Sequence, residues 1–598
     1  MADDLLHAFL QSLERERVLP QAALELVHIQ SAGGTNALDI IEAYNLGNME
    51  KAGALFSAVI GAQYISTHDL KPRISITSAS DAMKNSYAVL ANKDDAILSC
   101  EYNLQKIQVL RQQYSVVYFC LRQDFVALLC ADHSSALTEF ALTFHQCSNP
   151  LLTANHVFIH KTKCLGILAL FLALAALFPL PLFICVLALC NIYYFLCFFF
   201  KAILFSIGLF TDAPYHENGE DSNMPVYTLL IPLFKEADIL PILAQNINNL
   251  NYPKEKLDIK LILEARDTET IAAARQCKFL GCVDIIEVAW SLPQTKPKAL
   301  NYAIPFIRGE YTVIYDAEDK PDPQQLRKAV YSFRSQTENI ACFQARLNFF
   351  NDSETFFSAM VSVEYTLWFN FWLNAAGQMH MPLPLGGTSN HLRTDILKEV
   401  GGWDPYNVTE DAELGLRLSQ RGYRTMLLDS DTFEEASTSF RDWNNQRSRW
   451  IKGHLKTWYV FICNIRSFTA ATGLKGFSIL NLFIGLPYVC LLLNPLFFII
   501  WIIHKMFLIG IPEIYVRMTD FNLVVYNLVS IFMALSALWL TKRKHLLLYA
   551  LLLPVYWICM IISAFKAVWQ LIFNPFYWEK TTHGTSAILA ATVQACRK

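Results

Sequence analysis

The sequence predicts an α/β domain with a mostly parallel sheet, set between apolar helical segments and preceded by a smaller α+β domain. The composition is too apolar for a wholly soluble protein of 598 residues, since 54% of the residues are hydrophobic and only 17% are charged. Strand and helix patterns alternate through the middle of the chain, and long uncharged runs flank it on both sides. The predicted divisions are residues 1–150, 160–210, 212–466, 467–575 and 576–598.

The first 150 residues have the patterning of a soluble α+β domain. Four segments place apolar residues at three- and four-residue intervals, as helices do, and three later segments alternate as strands do. The predicted helices are Asp4–Arg17, Ala22–His28, Ala37–Tyr44 and Met49–Gly61, and the predicted strands are Tyr87–Leu90, Asp95–Cys100 and Ser115–Leu121.

The next segment predicts a hairpin that crosses a membrane twice. Cys164–Phe200 contains no charged residue, and as one helix these 37 residues would be about 55 Å long, nearly twice the hydrocarbon core of a bilayer. Pro179 and Pro181 interrupt the run, so two spans joined by a tight turn are expected. Lys161 and Lys163 precede the first span, and the positive-inside tendency therefore assigns both soluble domains to the cytoplasm.

Residues 212–466 have an ordinary globular composition in which strands and helices alternate. This alternation predicts a mostly parallel sheet with helices on both faces. The predicted strands are Val226–Leu233, Leu257–Leu263, Asp284–Val288 and Tyr311–Tyr315, and the predicted helices are Ile239–Leu250, Thr268–Lys278, Pro297–Ile307 and Pro323–Gln336.

After residue 466 the sequence becomes apolar again. Leu474–Ile484 has the pattern of an amphipathic segment at a membrane interface. Three apolar runs follow, Leu486–Ile503, Phe521–Thr541 and His545–Phe565, and the last of them contains Pro554. Each run is about long enough to span a bilayer.

The strand Tyr311–Tyr315 ends in a cluster of carboxylates formed by Asp316, Glu318 and Asp319. Open α/β folds bind ligands at the carboxyl edge of the sheet, where such side chains gather. Clustered carboxylates suit a hard cation such as Mg²⁺ or Mn²⁺ that is shared with substrate phosphates. A capped turn, in which the two aspartates only satisfy the backbone before the next helix, is the structural alternative.

Further polar residues follow other strand and helix ends of this domain. Lys296, Lys298 and Asn301 stand at a helix start, where anions bind well. Thr409-Glu410-Asp411 opens another helix. The remaining groups are Ile231-Pro232-Leu233-Phe234-Lys235-Glu236, Glu264-Ala265-Arg266-Asp267, Gly386-Gly387-Thr388-Ser389-Asn390 and Gln446-Arg447-Ser448-Arg449-Trp450.

This set of motifs, with Trp578-Glu579-Lys580-Thr581 near the end, resembles the processive, membrane-embedded family 2 glycosyltransferases, which include cellulose and hyaluronan synthases. The resemblance covers about residues 212–590, and the Thr-Glu-Asp and Gln-x-x-Arg-Trp motifs are its most specific parts. It implies a nucleotide-sugar (GT-A-like) domain inserted between transmembrane helices. It further implies an inverting enzyme that polymerises sugar into a β-linked exopolysaccharide and translocates it, in the bacterial inner membrane with its catalytic domain in the cytoplasm.

By this resemblance the donor is a UDP-linked sugar held with Mg²⁺ or Mn²⁺. Alignment on Asn301 favours Lys296 over Lys298 as the residue that holds the diphosphate. The family usually has an aspartate where Glu264 or Asp267 falls, and in this respect the chain departs from the family pattern. The implied donor site consists of the metal pair Asp316 and Asp319, the lysines Lys296 and Lys298, and Pro232, Glu236, Glu264, Asp267, Asn301 and Glu318.

The acceptor hydroxyl must lose a proton as it attacks the anomeric carbon, and a positioned carboxylate can accept that proton. Asp411, with Glu410 beside it, is the implied base. A helix-capping box built on Thr409 is the structural alternative, and both can hold because a cap would fix the carboxylate in place. Attack from the face opposite the leaving group predicts that an α-linked donor gives a β-linked product.

The resemblance also implies an acceptor side of the site. Gln446, Arg449 and Trp450, with Gly387 and Thr388, would stand at the mouth of the passage through the membrane. A tryptophan ring stacks well on the apolar face of a sugar, and arginine offers a forked donor to a diphosphate. An amphipathic helix at the membrane surface is the structural alternative.

Trp578, Lys580 and Thr581 resemble the gating loop of the same family, which closes over the donor. Three full spans after residue 466 would leave this loop outside the cell. One of the apolar runs is therefore expected to be interfacial or a hairpin, and His545–Ile572 is the first candidate because of its internal proline and lysine.

The order of elements in residues 1–150 resembles the N-terminal domain of type II secretion ATPases, some of which bind cyclic di-GMP. The Arg-Leu-Gly opening of the nucleotide-binding versions is absent, and the nearest run is Ala37-Leu38-Asp39-Ile40-Ile41. Binding of cyclic di-GMP and a plain docking or folding module are therefore both open.

Two other functions stay open from the sequence. A non-processive transferase would add a single sugar to a lipid acceptor, although enzymes of that kind generally lack Gln-x-x-Arg-Trp. A nucleotide-sensing membrane receptor or scaffold would carry an inactive transferase domain. The net charge of −3 gives no polyanion-binding signature, so the expected partners are the donor, the growing polysaccharide and the bilayer, and not nucleic acid.

Overall fold

Two β-sheets, one in each globular part of the chain, organise the structure. The structure is a computed structural model, and it describes residues 2–32, 35–65, 74–75, 82, 85–90, 93–155, 177, 179–211, 223–336, 339–507, 511–577 and 579. The smaller sheet lies within residues 63–119 and the larger one within residues 227–434.

The N-terminal part combines seven helices with a five-stranded sheet in its described residues. The helices are Ala2–Arg15 (α1), Gln21–Ala32 (α2), Ala37–Ala43 (α3), Met49–Ile60 (α4), Leu104–Gln113 (α5), Arg122–Asp132 (α6) and Ser134–Ser148 (α7), and the strands are Gln63–Tyr64 (β1), Ile74–Ser75 (β2), Tyr87–Leu90 (β3), Lys93–Ser99 (β4) and Val116–Phe119 (β5). The strand order is β1-β5-β4-β3-β2. The four helices and three strands predicted here are confirmed, with ends that differ by a few residues, because the apolar periodicity follows the buried faces of the core.

The larger sheet has eight strands in the order β10-β13-β11-β12-β9-β6-β7-β8. The strands are Tyr227–Leu233 (β6), Leu257–Glu264 (β7), Cys282–Val288 (β8), Tyr311–Ile314 (β9), Lys320–Pro321 (β10), Ile340–Phe349 (β11), Asn390–Arg393 (β12) and Arg424–Glu434 (β13). The prediction of a mostly parallel sheet is confirmed, although β12 is antiparallel to both of its neighbours and β10 is antiparallel to β13. The chain enters β12 from a tight turn, in which Ser389 has a φ of +56°, and not from a helical crossover.

Helices cover the larger sheet and continue into the apolar part of the chain. They are Pro179–Gly208 (α8), Leu240–Asn248 (α9), Thr268–Gln276 (α10), Lys296–Ala303 (α11), Gln325–Ser335 (α12), Phe356–Leu367 (α13), Asn374–Gln378 (α14), Thr394–Glu399 (α15), Glu410–Gln420 (α16), Phe440–Cys463 (α17), Ile465–Ile479 (α18), Leu486–Phe507 (α19), Glu513–Leu540 (α20), Leu547–Ala550 (α21) and Leu553–Phe573 (α22). Two π-helical segments, Trp368–Leu373 and Leu480–Gly485, join α13 to α14 and α18 to α19.

A glycine fixes the register of β9, the strand that carries the acidic turn at its end. A Cβ on Gly309 would lie 2.5 Å from the backbone nitrogen of Thr228 and 2.8 Å from its Oγ1. The hydroxyl of Thr228 accepts the N–H of Gly309 at 2.8 Å, and Glu310 N–H donates to Val226 O at 3.0 Å. The lack of a side chain therefore lets β9 enter the sheet directly beside β6.

Four single helices in the described part of the chain are long and apolar enough to cross a membrane. They are Pro181–Gly208, Ile465–Phe507, Glu513–Leu540 and Leu553–Phe573. The first span predicted in Cys164–Phe200 falls mainly on residues 164–176, outside the described residues. The segment Leu474–Ile484, predicted to lead into a span, continues through a π-helical segment into α19, and the chain kinks just before it, where Gly473 has a φ of +65°.

The last apolar helix, α22, begins and ends later than predicted. It runs from Leu553 to Phe573, and Pro554 lies in its first turn, where a missing N–H is tolerated. One face packs on α17, with Ala564 and Ala567 fully buried. The opposite face is apolar and exposed, and consists of Val555, Ile558, Ile562, Phe565, Trp569 and Ile572.

Candidate active site

A cavity of about 380 Å³ opens at the carboxyl ends of β6, β7 and β9, between the larger sheet and α17. It is the place where an open α/β sheet binds its ligand. Its walls include Pro232, Phe234, Glu236, Glu264, Thr295, Lys296, Asp316, Glu318, Glu364, Tyr365, Trp368, Gly387, Thr388, Thr409, Glu410, Asp411, Glu434, Gln446, Arg447, Arg449, Trp450, His454, Phe483 and Tyr488.

The turn after β9 places Asp316 and Glu318 in the wall of this cavity, whereas Asp319, predicted with Asp316 to hold a metal ion, is fully buried and does not line it. Asp316 pairs with the ammonium of Lys296, and Oδ2 of Asp319 accepts the N–H of Asp316 at 2.8 Å as well as the hydroxyl of Thr388. Oδ1 of Asp319 is buried and has no hydrogen-bond partner among the described residues. Burial, and then the charges of Asp316 and Glu318, raise the pKa of Asp319 well above its usual range. The capped-turn alternative therefore accounts for only one of the two oxygens.

Glu434 is a site residue that the sequence analysis missed. It ends β13, lines the cavity, and has an Oε1 atom that is buried without a partner in the described structure. Burial raises the pKa of Glu434 well above its usual range, and the charges of Asp319, Glu318 and Asp316 add to that effect. The signal was available, since Glu434 follows a buried strand as Asp316 does.

Lys296 is the cation closest to these acids. Its ammonium pairs with Asp316 and donates to Gly387 O at 2.8 Å. Burial acts to lower the pKa of Lys296, but the charges of Asp316 and Glu410 outweigh it and raise that pKa. Acidic groups nevertheless outnumber this cation, because the acids around Lys296 also include Glu318, Asp319, Asp411 and Glu434.

At the other end of the cavity, three of the predicted donor-binding residues line the wall. These are Pro232, Glu236 and Glu264. Oε1 of Glu264 lies 3.2 Å from the ammonium of Lys298, whereas its Oε2 is buried without a partner in the described residues. Lys298 is 1% exposed and lies outside the cavity wall, so it acts on the cavity only through Glu264.

Two predicted donor-binding residues have structural roles instead. Asp267 caps α10, since its Oδ1 accepts the N–H of Thr270 at 3.3 Å, and its Oδ2 accepts the N–H of Lys235 at 2.5 Å. Asn301 donates to Trp403 O at 2.7 Å and to Ala141 O at 3.1 Å, and its Oδ1 accepts the N–H of Trp403 at 2.9 Å. Neither residue lines the cavity, so the prediction that they touch the donor is corrected.

The candidate base lies at the start of α16. Thr409, Glu410 and Asp411 all line the cavity, and a Cβ on Gly387 would lie 3.5 Å from Oδ2 of Asp411. The capping box expected from Thr409 is absent, because its hydroxyl makes no cap hydrogen bond, and Oδ1 of Asp411 instead accepts the N–H of Ala412 at 2.8 Å. Burial raises the pKa of Asp411, and burial with the charge of Asp411 raises the pKa of Glu410 to about 8.

Helix α17 forms another wall of the cavity. Gln446, Arg449 and Trp450 line it as predicted, and the guanidinium of Arg447 lies 4.6 Å from the centre of the Trp450 ring. Arg447 forms an ion pair with Glu364, in which a guanidinium nitrogen lies 2.7 Å from a carboxylate oxygen. Glu364 was not among the predicted site residues.

Residues 311–578 match the family described as glycosyl transferase family group 2. This part of the chain is therefore similar to the catalytic domain of family 2 glycosyltransferases. The match begins at β9, so the strands that carry Pro232, Glu236 and Glu264 precede it.

Curated relatives of the glycosyltransferase domain come from plants and bacteria. Glucomannan 4-beta-mannosyltransferase 2 of Arabidopsis thaliana is 27% identical over 254 residues, which cover 40% of this chain and 47% of that protein. Beta-monoglucosyldiacylglycerol synthase of Trichormus variabilis is 24% identical over 269 residues, which cover 43% of this chain and 56% of that protein. The chain thus spans about half the length of the curated relatives it matches.

Among solved structures, the mannosyltransferase PcManGT from Pyrobaculum calidifontis, in complex with GDP-Man and Mn²⁺, is 17% identical and covers 63% of this chain and 99% of its own, with a TM-score of 0.41. The family match and the relatives together support the prediction that the chain is a nucleotide-sugar-dependent glycosyltransferase.

Trp578, Lys580 and Thr581, which the sequence analysis predicts to form a gating loop, lie outside the described residues. Their neighbour Glu579 is described, and its carboxylate accepts bonds from Lys566 at 2.8 Å and from Gln570 at 2.7 Å. Tyr577 O accepts a bond from Lys452 of α17 at 2.6 Å. The chain thus lies against α17 just before the predicted loop.

Proposed function

We propose that the protein is an inverting glycosyltransferase that polymerises sugar from a nucleotide-sugar donor into a β-linked exopolysaccharide and passes the product through its own membrane helices. The observation that carries this proposal is the convergence of three groups on one cavity. These are the acidic turn with Lys296, the carboxylate of Asp411, and the row Gln446, Arg449 and Trp450 on α17.

The donor would lie along the carboxyl edge of the sheet, with its base toward Pro232 and Glu264 and its diphosphate beside Lys296. The residues present fit a divalent cation, because Asp319 has a buried, unpartnered oxygen and the surrounding carboxylates exceed the cations. Asp316 and Asp319 would hold Mg²⁺ or Mn²⁺, with Glu318 and Glu434 nearby, since hard cations prefer oxygen ligands. When bound, such an ion acts as a Lewis acid that stabilises the charge of the diphosphate leaving group.

Asp411 would accept the proton of the acceptor hydroxyl. The burial of Asp411 favours this role. It raises the pKa of the carboxylate toward the working pH of the enzyme, where a general base is most effective. The charges of Lys296 and Arg449 act in the opposite direction and lower the pKa of Asp411. Displacement of the leaving group from the opposite face would then invert the anomeric centre.

The aromatic wall of the cavity supports a polymeric acceptor. Trp450, Tyr365, Trp368 and Phe483 line the cavity, and Phe483 belongs to the π-helical segment that leads into α19. Aromatic rings bind the apolar faces of sugars, so successive residues of a chain could stack along this wall. A single transfer to a lipid acceptor is the second candidate, because one relative is named as a glucosyldiacylglycerol synthase.

We further propose that α22 lies at the membrane interface and does not span the membrane. It packs along α17, where Ser563 donates to Asn444 at 2.7 Å and Lys566 donates to Asn445 at 2.5 Å, while its exposed face is wholly apolar. An apolar face opposite a polar one is typical of interfacial helices. With α19 and α20 as the only spans after the domain in the described residues, the gating loop would return to the cytoplasmic side of a bacterial inner membrane, next to the cavity.

For the N-terminal part we propose a docking role in place of cyclic di-GMP binding. The run Ala37–Ile41 lies in α3, and Leu38, Ile40 and Ile41 are fully buried in the core of this part. The end of this helix meets the glycosyltransferase domain, since Gly281 N–H donates to Ala43 O at 2.8 Å and Asn45 donates to Phe279 O at 2.8 Å. A segment used in this way has little surface left for a nucleotide.

The experiment uses the full chain in lipid nanodiscs with Mn²⁺ or Mg²⁺ and a panel of UDP- and GDP-sugars. Nucleoside diphosphate release with one donor, together with a product that the matching β-glycosidase removes, is the expected result. Release with a lipid-linked monosaccharide as the sole product would favour single transfer. Absence of release with every donor, with and without cyclic di-GMP, would favour the receptor or scaffold and contradict the proposal.

A further inference from the structure

The segment that ends the N-terminal part, residues 141–154, lies against the catalytic loops and not against its own sheet alone. We call this segment the connector, and residues 400–408, which lead into Thr409-Glu410-Asp411, the base loop. We infer that the connector positions the base loop, and through it Asp411, with Asn149 as the positioning residue. The inference rests on the proposed function of Asp411.

Direct contacts join the connector to the base loop. Nδ2 of Asn149 donates to Val400 O at 2.8 Å, and Oδ2 of Asp404 accepts the N–H of Ala154 at 2.5 Å. Gly401 has a φ of +85°, and a Cβ there would lie 2.6 Å from Cβ of Ser148. Both bonds are buried, since Asn149 is 4% exposed and Asp404 is fully buried, so water does not replace them readily.

The connector also contacts the helix that carries Lys296. Asn301 on this helix, α11, donates to Ala141 O in the connector and to Trp403 O in the base loop. At the start of the same helix, Oγ1 of Thr295 donates to Pro405 O at 2.8 Å. Connector, donor helix and base loop therefore form one hydrogen-bonded unit.

The far side of the base loop is held by the helices that follow it. Arg417 of α16 donates to Val400 O at 2.5 Å and to Gly402 O at 2.7 Å. Arg421, the residue that follows α16, donates to Oδ1 of Asn149 at 2.9 Å, so Asn149 contacts both the base loop and the far end of the helix that carries Asp411. Among the described residues of the connector, no other side chain forms hydrogen bonds with both the base loop and the end of α16.

Residues 401–409 form no helix or strand, so these bonds set the position of the base loop. A misplacement of about 1 Å at a catalytic group can reduce a rate by about 10². The N-terminal part consequently has a direct structural route to the catalytic carboxylate, and a change in its docking would alter turnover without altering the donor pocket at Pro232 and Glu264.

Asn149→Ala tests this inference in the full chain in nanodiscs. Thr143→Ala is the matched control, since Thr143 is exposed on the same helix and its hydroxyl bonds only within that helix. We expect Asn149→Ala to lower kcat by about tenfold or more and to change the KM for the donor much less, because the side chain of Asn149 bonds to the base loop and not to the donor helix. Hydrogen exchange should become faster in residues 400–411 and stay unchanged in residues 424–434, and the control should match the wild type in both measurements.

Unchanged kcat and unchanged exchange in Asn149→Ala would overturn the inference. Faster exchange spread over the whole domain would also overturn it, because that result indicates a merely structural role for Asn149. Asn149→Ser, a smaller change, and Asp404→Asn, which alters the second bond from the base-loop side, give the same readouts if the alanine variant does not fold. The exchange measurement needs no substrate. It therefore judges the inference even if the wild type transfers no sugar, a result that would count against the proposed function alone.

Discussion

Among the described residues, one cluster of buried acids lies at the cavity and another lies at the contact between the N-terminal part and the larger sheet. In the second cluster, Arg122 lies 3.0 Å from Asp39 and 3.7 Å from Glu42, and its guanidinium stacks 4.4 Å from the centre of the Tyr102 ring. Ligand atoms of Asp39, Glu42 and Cys282 lie within 4.8 Å of one another, an arrangement that could hold a metal ion. Cys282 belongs to β8, the edge strand of the larger sheet.

The two clusters differ in access and in their balance of charge. Arg122 already stands beside the acids of the contact cluster, where a metal ion would have to displace it, and none of these residues lines the cavity. In the cavity wall, Glu434 has an oxygen without a hydrogen-bond partner in the described residues, beside an open space. Both oxygens of Glu42 are likewise without a hydrogen bond there, but they lie away from the cavity. Burial raises the pKa of Glu42 as it raises that of Glu434. A raised pKa therefore does not by itself mark a functional site, whereas an excess of acids beside a cavity does.

The largest expected effect comes from a change at Asp411, and its measurement distinguishes a loss of catalysis from a loss of folding. Asp411→Asn keeps the shape of the side chain and removes its basicity, so we expect sugar transfer to fall by about 10²–10⁴-fold. The thermal unfolding midpoint should stay close to that of the wild type. Initial rates of nucleoside diphosphate release measure the effect, and Asp395→Asn, an exposed aspartate on α15, is the control. Equal rates in the Asp411 variant and the wild type would remove Asp411 from the chemistry.

Metal removal should distinguish the two clusters next. Chelation with EDTA is expected to lower the rate by about 10² or more, because a Lewis acid contributes several kcal/mol to charge stabilisation and about 1.4 kcal/mol corresponds to a factor of ten. Added Mn²⁺ or Mg²⁺ should restore it. Asp316→Asn should weaken this restoration and Asp39→Asn should not. Restoration that depends on Asp39 would assign the metal to the contact cluster.

The contact cluster should control stability and its pH dependence. Burial raises the pKa of Glu42 to about 7 from its ordinary 4.5, the charges of Asp284 and Asp39 add to this, and Arg122 opposes it. Because the folded state holds this proton more tightly than the unfolded chain, stability falls as pH rises from about 4.5 to about 7, by up to roughly 3 kcal/mol.

Glu42→Gln removes this penalty. The variant should therefore unfold at a higher temperature than the wild type at about pH 8 and at a similar temperature at about pH 4.5, with sugar transfer unchanged. Thermal melts in detergent at the two pH values measure the difference. A variant that is less stable than the wild type at the higher pH would contradict the assignment of Glu42 as a buried, protonated acid.

The smallest effect concerns the aromatic wall of the cavity. Trp450→Ala should shorten the polymer and lower the rate by about tenfold, given that a well-packed aromatic contact contributes about 1 kcal/mol beyond its buried area. Gel analysis of product length measures this, and Trp569→Ala, on the exposed face of α22, is the control. Product of full length from the Trp450 variant would argue against a stacking role.

Most strands and helices could be predicted because a buried face leaves a repeating pattern in the sequence. Strands β10 to β13 of the larger sheet were missed. Lys320–Pro321 and Asn390–Arg393 are too short for a pattern, and the long strands Ile340–Phe349 and Arg424–Glu434 bury polar residues that hide their apolar pattern. Motif spacing brought Asp316, Lys296, Asp411 and Trp450 together correctly in one cavity.

Direction and partners of side chains could not be predicted from spacing. Asn301 and Asp267 stand near motif residues, but their polar atoms are saturated by backbone groups. The contact of the connector with the base loop joins residues about 250 positions apart, such as Asn149 and Val400, and leaves no local signal in the sequence.

The most direct test of the account measures donor binding and turnover in one nanodisc preparation, for the wild type and for Asp411→Asn, in the presence of Mn²⁺. We predict that both proteins bind the nucleoside diphosphate with the same affinity by calorimetry, and that only the wild type releases it from the donor sugar while a β-linked product forms. Equal turnover in both proteins, or a wild type that binds the nucleotide but transfers no sugar from any donor, would contradict the account.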